Sequence, residues 1–529
     1  MTPTTRAQEA DINALVTAGI EERTPTGVPE VTNAYGKFWA PSTWKRQAWM
    51  SPRIARTEIL SGLVVALALI PEAISFSIIA GVDPRVGLFA SFTMAISIAF
   101  LGGRPAMISA ATAAIALVVA PLSREYGLDY LIAAIILGGI LQVVLAVLGV
   151  ATLMRFIPRS VMVGFVNSLA ILIFMAQIPH LTGVSWMVVP LVVAALAIIT
   201  FFPRLTGAVP APLVAIVLLT VITTAFALAV PTVGDEGELP EGLPALLWPG
   251  VPFTWETLQI VFPFAVGVVL VGLLESLMTA KLVDDITDSH SDKTREAWGQ
   301  GAANIITGFF GGMGGCAMIG QTMINVKAGR ARTRLSTFMA GAFLLVLILA
   351  LGDVVATIPM AALVAVMIYV SWATFDWHSI QLSTLKRMPK SETSVMLTTV
   401  GVVVFTHNLA YGVVAGVVLA SVLFARRVAH LANVTGGPIE GDTRVYKVTG
   451  ELFFASSNDL FSQFDYSGDP ANVIIDMSDS HVWDASTVAT LDSIVYKYER
   501  HGTAVSIEGL NDASLAFHDK MSGNLGAGH

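Results

Sequence analysis

The chain has 529 residues, of which 54% are hydrophobic and only 13% charged, about half the charged share of an average soluble domain. A mean hydropathy of +0.72 excludes an ordinary soluble globular fold and describes a polytopic membrane protein. The net charge of -8 is not a nucleic-acid signal, and the single cysteine, Cys316, excludes an intramolecular disulfide framework and any cysteine-based metal cluster.

Residues 1–50 read as a cytoplasmic segment. They lack the basic start and apolar run of a signal peptide. Trp39, Trp44 and Trp49, with Lys45, Arg46, Arg53 and Arg56, make an interfacial anchor ahead of the first span. Residues 51–430 form the membrane domain. A helix needs about 20 apolar residues to cross the hydrocarbon core, and Pro, Gly and charge punctuation predicts about fourteen spans. Two stretches, 108–122 and 317–327, are too short or too interrupted to cross alone.

An acidic residue sits inside two of these spans: Glu72 in residues 62–80 and Glu275 in residues 264–282. A carboxylate at bilayer depth costs at least about 2.5 kcal/mol and must face protein, water or an ion. Pro71 predicts a weakened helix beside Glu72. Phe76 lies one turn further on, able to line a pocket or simply to pack. Thr279 is four residues beyond Glu275, on the same helix face, where hydroxyl and carboxylate can share a ligand.

The connection 230–256 carries Asp235, Glu236, Glu238, Glu241 and Glu256 without Lys or Arg. Arg155, Arg159, Arg204, Lys327, Arg330, Arg332, Arg334, Lys386, Arg387, Lys390, Arg426 and Arg427 fall in alternate connections. With fourteen spans and a cytoplasmic N-terminus, the basic loops lie inside and the acidic loop outside. That loop divides the region into repeats of about 55–231 and 257–430. Seven spans per half invert the second against the first, as in many secondary transporters.

In each half a glycine cluster precedes a short run of small residues. Gly102 and Gly103 precede Ser109, Ala110, Ala111 and Thr112; Gly311, Gly312, Gly314 and Gly315 precede Ala317, Met318, Ile319, Gly320, Gln321 and Thr322. Such runs also permit close helix packing. Read as paired half-helices, their N-termini give backbone donors and positive dipole ends for a small anion without Lys or Arg. Glu275 with Thr279 suits a coupling sodium ion, or a proton carrier if burial keeps the acid neutral. Gln142, Asn167, Gln177, Gln300, Asn304 and Asn325 are expected to bond between helices.

Past Arg427 the composition changes. Residues 431–442 read as a linker. Residues 443–529 alternate strand and helix, which predicts a small α/β domain on the cytoplasmic side.

Four segments resemble a known family: 70–91 (IPEAISFSIIAGVDPRVGLFAS), 272–288 (GLLESLMTAKLVDDITD), 299–329 (GQGAANIITGFFGGMGGCAMIGQTMINVKAG) and 482–494 (VWDASTVATLDSI). The chain is similar to the SulP family of inorganic anion transporters, also called solute carrier family 26. Its last segment resembles the STAS domain that ends such proteins. The resemblance implies fourteen spans as a seven-plus-seven inverted repeat, core and gate subdomains, a homodimer in the bilayer, and transport of sulfate, bicarbonate, chloride or dicarboxylates. It implies an anion site at Phe76, Ala110, Ala111, Thr112, Ala317, Met318, Ile319, Gly320 and Gln321, with coupling at Glu72, Glu275 and Thr279. Many relatives carry Gly-Pro at Ala110–Ala111, and several animal members carry Ser-Arg at Gly320–Gln321, so no arginine assists an anion here. Sodium-coupled bicarbonate members tend to have Asp at Glu275 and Thr at Ile319, so the differences turn the expected coupling ion from sodium towards a proton. Asp484 is followed by Ala485 where phosphorylated STAS relatives have Ser or Thr.

The expected function is therefore secondary active transport of a sulfate- or bicarbonate-class anion. The alternatives are an uncoupled anion channel or exchanger, a dicarboxylate or nucleobase carrier, and a non-transporting scaffold that presents the STAS domain. No nucleophile–base pair or phosphate loop marks an enzyme, and no cofactor is expected.

Overall fold

The computed structural model describes residues 52–149, 157–204, 210–429 and 432–522. The N-terminal segment with its tryptophans, and Arg155, lie outside them. Among the described residues, seven helices are long and apolar enough to cross a membrane, and the helix order along the chain is consistent with the larger expected number.

The chain divides into two compact units. The first begins with α1 (Pro52–Ala80), α2 (Pro84–Leu101), β1 (Ser109–Ala110), α3 (Ala113–Tyr126) and α4 (Leu128–Val147). After α5 (Arg159–Met175), which belongs to the other unit, it continues with α6 (Val188–Phe201) and α7 (Ala211–Ala225). Next come α8 (Trp255–Thr287), α9 (Lys293–Phe309), β2 (Cys316–Ala317), α10 (Ile319–Met323) with the π-turn Ile324–Ala328, α11 (Arg334–Ala356) and most of α12 (Met360–Thr374). The series long helix, helix, short strand, half-helix, helix thus occurs twice, with Glu72 on the first helix of one series and Glu275 on the first of the other.

Both short stretches are half-helices, as expected. The break expected near Glu72 is absent: α1 runs unbroken through Pro71, and the Ser75 hydroxyl donates to the Pro71 carbonyl at 2.8 Å. Close packing follows from small residues. A Cβ on Gly139 of α4 would lie 2.6 Å from the Gly301 carbonyl of α9, and one on Gly301 2.6 Å from the Gly139 carbonyl. Of the residues expected to bond between helices, Asn304 meets Gln142 and Asn325 meets Ser61, whereas Gln300 bonds Ser109 of β1 and Asn167 bonds Ser379 in a turn.

In the second unit α5 packs on α14 (Lys390–Thr406) and α15 (Leu409–Ala429), after the short α13 (Leu382–Arg387). Then comes a four-stranded sheet of β3 (Asn433–Glu440), β4 (Thr443–Leu452), β5 (Asn472–Val482) and β6 (Ala504–Glu508), in that spatial order. The β3–β4 pair is antiparallel; β4–β5 and β5–β6 are parallel. Its helices are α16 (Phe454–Phe461), α17 (Ala485–Arg500) and α18 (Asp512–Met521). Val448, Ile475, Met477, Val488, Leu491 and Ile494 fill the core. The expected linker 431–442 is corrected here. Residues 433–440 are the edge strand β3, with a register shift between Gly436 and Ile439. An edge tolerates the glycines and Pro438 that read as a linker, because one side of the strand needs no ladder donors.

Candidate anion-binding site

The site is built on a crossing of two chain segments. Ser109 pairs with Ala317 and Ala110 with Cys316, antiparallel. The Met318 N–H donates to the Ile108 carbonyl at 2.9 Å. Gly315 permits the crossing, since a Cβ there would lie 2.0 Å from the Ala110 carbonyl oxygen. Asn304 of α9 fixes Gly315 from both sides, accepting its N–H at 2.9 Å and donating to its carbonyl at 3.1 Å.

Because the strands are antiparallel, the chain leaves the pair at opposite ends on its way into α3 and α10. The two helix N-termini therefore flank the crossing. Each helix begins three residues after its strand's crossing residue, so each terminus lies within about 10 Å of it. In α3 the first intrahelical bond runs from Ala116 N to Thr112 O, and the Thr112 side chain caps the Ile115 N–H. That leaves the N–H groups of Ala113 and Ala114 as the open donors. In α10 the first bond runs from Thr322 N to Met318 O, and no side chain caps the turn, so Ile319, Gly320 and Gln321 supply its open donors. A Cβ on Gly320 would meet nothing within 4 Å, and the residue is exposed although Ala317 and Gln321 beside it are buried. This backbone therefore borders open space.

The expected donors shift by a residue or two. The Ala111 N–H already donates to the Ser91 hydroxyl at 3.2 Å, and the Ala317 N–H to the Ser276 hydroxyl at 3.1 Å. Ala110, Ala111, Ala317 and Met318 are buried and form the frame. Thr112 is the cap.

Glu275 reaches the crossing from α8. The Cys316 thiol donates to its Oε2 at 3.0 Å, and the same sulfur lies 3.1 Å from the Thr112 hydroxyl. The Thr279 proton goes to the backbone and not to this carboxylate. Its hydroxyl donates to the Glu275 backbone carbonyl at 2.7 Å, the ordinary bond of a buried helical threonine. Glu72 lies on α1, which packs against α10 and the π-turn that follows it. Phe76 is buried on the same face of α1, one turn on. The arrangement offers donor-only backbone to an anion, with Glu275 bonded at the crossing and Glu72 on a helix packed beside α10.

Sequence reasoning missed Cys316 as the link between Glu275 and Thr112. It also missed two further buried acids, Glu58 and Glu296. Glu58 accepts the N–H groups of Arg332, Thr333 and Ser336. Glu296 accepts those of Gly103 and Arg104, and Gln300 bridges it to Ser109. Both acids stand outside the most apolar windows, so hydropathy gave no signal for them. Each satisfies backbone donors at a turn next to a half-helix segment.

A family model described as the sulfate permease family matches residues 56–196 and 184–399, and a STAS domain model matches residues 438–520. The chain is 53% identical over 477 residues to the putative sulfate transporter YbaR of Bacillus subtilis, covering 90% of this chain and 98% of that protein. Among solved structures, the transmembrane domain of a cyanobacterium bicarbonate transporter, BicA, is 26% identical with a TM-score of 0.60, covering 69% of this chain and 98% of that one. The inward-facing murine Slc26a9 anion transporter shares the fold at 15% identity, with a TM-score of 0.79 over 96% of this chain and 93% of that one.

Proposed function

This chain belongs to the sulfate permease family and is a membrane-embedded anion transporter with a STAS domain, and we propose that it is a secondary active carrier of a sulfate- or bicarbonate-class anion, coupled to protons. The observation that carries this reading is the crossing. Uncapped N–H groups of Ile319, Gly320 and Gln321 and those of Ala113 and Ala114 flank the crossing, next to open space at Gly320. Such donors and the two helix dipoles suit a small oxyanion. The relatives' names, putative sulfate transporter and bicarbonate transporter, support the same two substrates.

Proton coupling is favoured over sodium by side-chain placement. The Thr279 hydroxyl turns to its own helix, and the group that meets the Glu275 carboxylate is the Cys316 thiol, a donor. A hard cation needs several converging oxygens, whereas an acid exchanging one proton needs only a protein-facing carboxylate. The carrier works as a homodimer, with the STAS domain and both termini on the cytoplasmic side.

The test is uptake of labelled sulfate, bicarbonate and fumarate into proteoliposomes under imposed proton or sodium gradients. Proton-driven accumulation of sulfate or bicarbonate is expected. Accumulation that follows sodium alone would overturn the coupling, and flux that never exceeds equilibration would indicate a channel or exchanger.

A further inference from the structure

The connection from α12 to α14, residues 375–389, is pinned to the second unit by side-chain bonds. Asn167 of α5 is buried and holds it twice. Its Oδ1 accepts the Asp376 N–H at 2.8 Å, and its amide donates to the Ser379 hydroxyl at 2.8 Å. The Ser371 hydroxyl donates to the Ala170 carbonyl at 2.7 Å. His378 shares a hydrogen bond with Thr384 of α13 at 3.2 Å. So anchored, the segment keeps large apolar side chains outside the protein: Trp372 is 62% exposed, Trp377 41% and Leu382 68%. The Trp372 and Trp377 ring centroids lie 4.1 Å apart, and Phe375 meets Trp377 at 4.8 Å. The Trp377 indole N–H donates to the Trp372 carbonyl at 2.9 Å. A fixed aromatic ledge at the end of apolar spans belongs at the level of lipid headgroups.

Cations stand beside the ledge. Residues 377–429 hold five Lys or Arg and a single acid, Glu392. Lys386 and Arg387 end α13, and Lys390 begins α14. The Arg427 guanidinium donates to the Ser391 hydroxyl at 2.5 Å. That bond sets the last turn of α15, with Arg426 and Arg427, against the first turn of α14. All five cations are exposed, and none forms an ion pair among the described residues. Like charges gathered without counter-ions repel one another, so the cluster is favourable where fixed anions are dense, as at an anionic leaflet.

We infer that these five cations form a binding site for the phosphate headgroup of an anionic phospholipid, whose acyl chains lie on the Trp372–Trp377 ledge. Arginine and lysine side chains meet the phosphodiester by charge-assisted hydrogen bonds, and the exposed rings cover the upper part of the chains. No covalent bond is made or broken. A free phosphate ion meets the cations but leaves the ledge bare, so the two halves of the site together select a lipid. The STAS sheet begins at Asn433, just past Arg427, so a bound lipid also fixes the place where the chain leaves the membrane for that domain. The inference does not depend on which anion is carried or on how transport is coupled.

The test is tryptophan quenching of the full-length protein in nanodiscs, with brominated phosphatidylglycerol compared with brominated phosphatidylcholine at equal bromine content. The signal of the site is the quenching lost in the double variant Trp372→Phe, Trp377→Phe. In wild type this signal should be stronger with phosphatidylglycerol and should weaken as salt is raised. Lys386→Gln with Arg387→Gln should lower the preference for phosphatidylglycerol by about fivefold for each charge removed. Arg204→Gln with Arg330→Gln removes the same charge from other connections and should leave the preference unchanged. Equal losses from the two pairs would reduce the attraction to a diffuse one and overturn the site, as would equal quenching of wild type by the two lipids. Displacement of the phosphatidylglycerol signal by inorganic phosphate would assign the cations to a free ion and overturn the lipid. Gel filtration checks each variant. Should the α13 pair not fold, Lys390→Gln with Arg426→Gln carries the same expectation on α14 and α15.

Discussion

The Cys316 thiol lies 3.0 Å from Glu275 Oε2 and donates to it, joining the acid on α8 to the strand that opens the second half-helix. Cys316→Ser keeps a donor and should keep transport. Cys316→Ala leaves a buried carboxylate short of its partner, at a cost of about 1–3 kcal/mol. Melting of the purified protein and proton-driven uptake both read this. An alanine variant with wild-type values in both would show that the bond is incidental.

Glu275→Gln tests coupling without removing that contact, because the amide oxygen still accepts the thiol proton. The variant should fold, bind anion and equilibrate it down its own gradient. It should lose accumulation against that gradient when a proton gradient is imposed. Undiminished accumulation across a pH series would remove Glu275 from the coupling role.

The frame of the site was legible in the sequence, whereas its wiring was not. Glycine clusters followed by small residues marked both half-helices because a backbone crossing as tight as Gly315 against Ala110 excludes a Cβ. The acids at 72 and 275 stood out because they interrupt apolar runs. Cys316 did not stand out, since a single thiol has no spacing to read. Nor did the engagement of Ala111 with Ser91, or of Thr279 with its own helix, because both depend on which way a hydroxyl turns. Glu58 and Glu296 bond backbone at turns, where an acid looks solvated. The glycines and proline of β3 read as a linker because they are turn formers, and an edge position is what lets them form a strand.

In the STAS domain the fully buried Asp469 carboxylate accepts from Arg444 at 2.7 Å, Tyr446 at 2.8 Å and Tyr498 at 2.5 Å. Burial first, and then the bond to Asp469, push the Tyr498 phenol up from its ordinary value. A pKa raised on folding favours the neutral phenol. The stabilisation is fully present below the unfolded value of about 10 and is lost as pH rises beyond it. The domain should therefore unfold in alkali, with Tyr498 ionising only as it does so. Asp469→Ala should destabilise it by about 3 kcal/mol, since it leaves Arg444 and two phenols without their acceptor. Tyrosinate absorbance followed together with circular dichroism reads both effects. Complete ionisation near pH 10 with the sheet intact would contradict the first, and an unchanged melting temperature in Asp469→Ala the second.

Gly320 separates a lining role from a structural one. A Cβ there meets nothing within 4 Å, and the residue lies in the first turn of α10 with ordinary helical geometry. Gly320→Ala therefore removes no packing, and its higher helix propensity is worth up to about 1 kcal/mol in stability. Melting should be unchanged or slightly raised. If the open space is the anion's seat, the added methyl takes volume from the anion alone. Uptake should then fall more for tetrahedral sulfate than for planar bicarbonate, and Gly320→Leu should abolish both while the protein still folds. Equal uptake of both anions by wild type and Gly320→Leu would place the anion elsewhere, because a side chain of that size cannot share the first turn of α10 with a bound oxyanion.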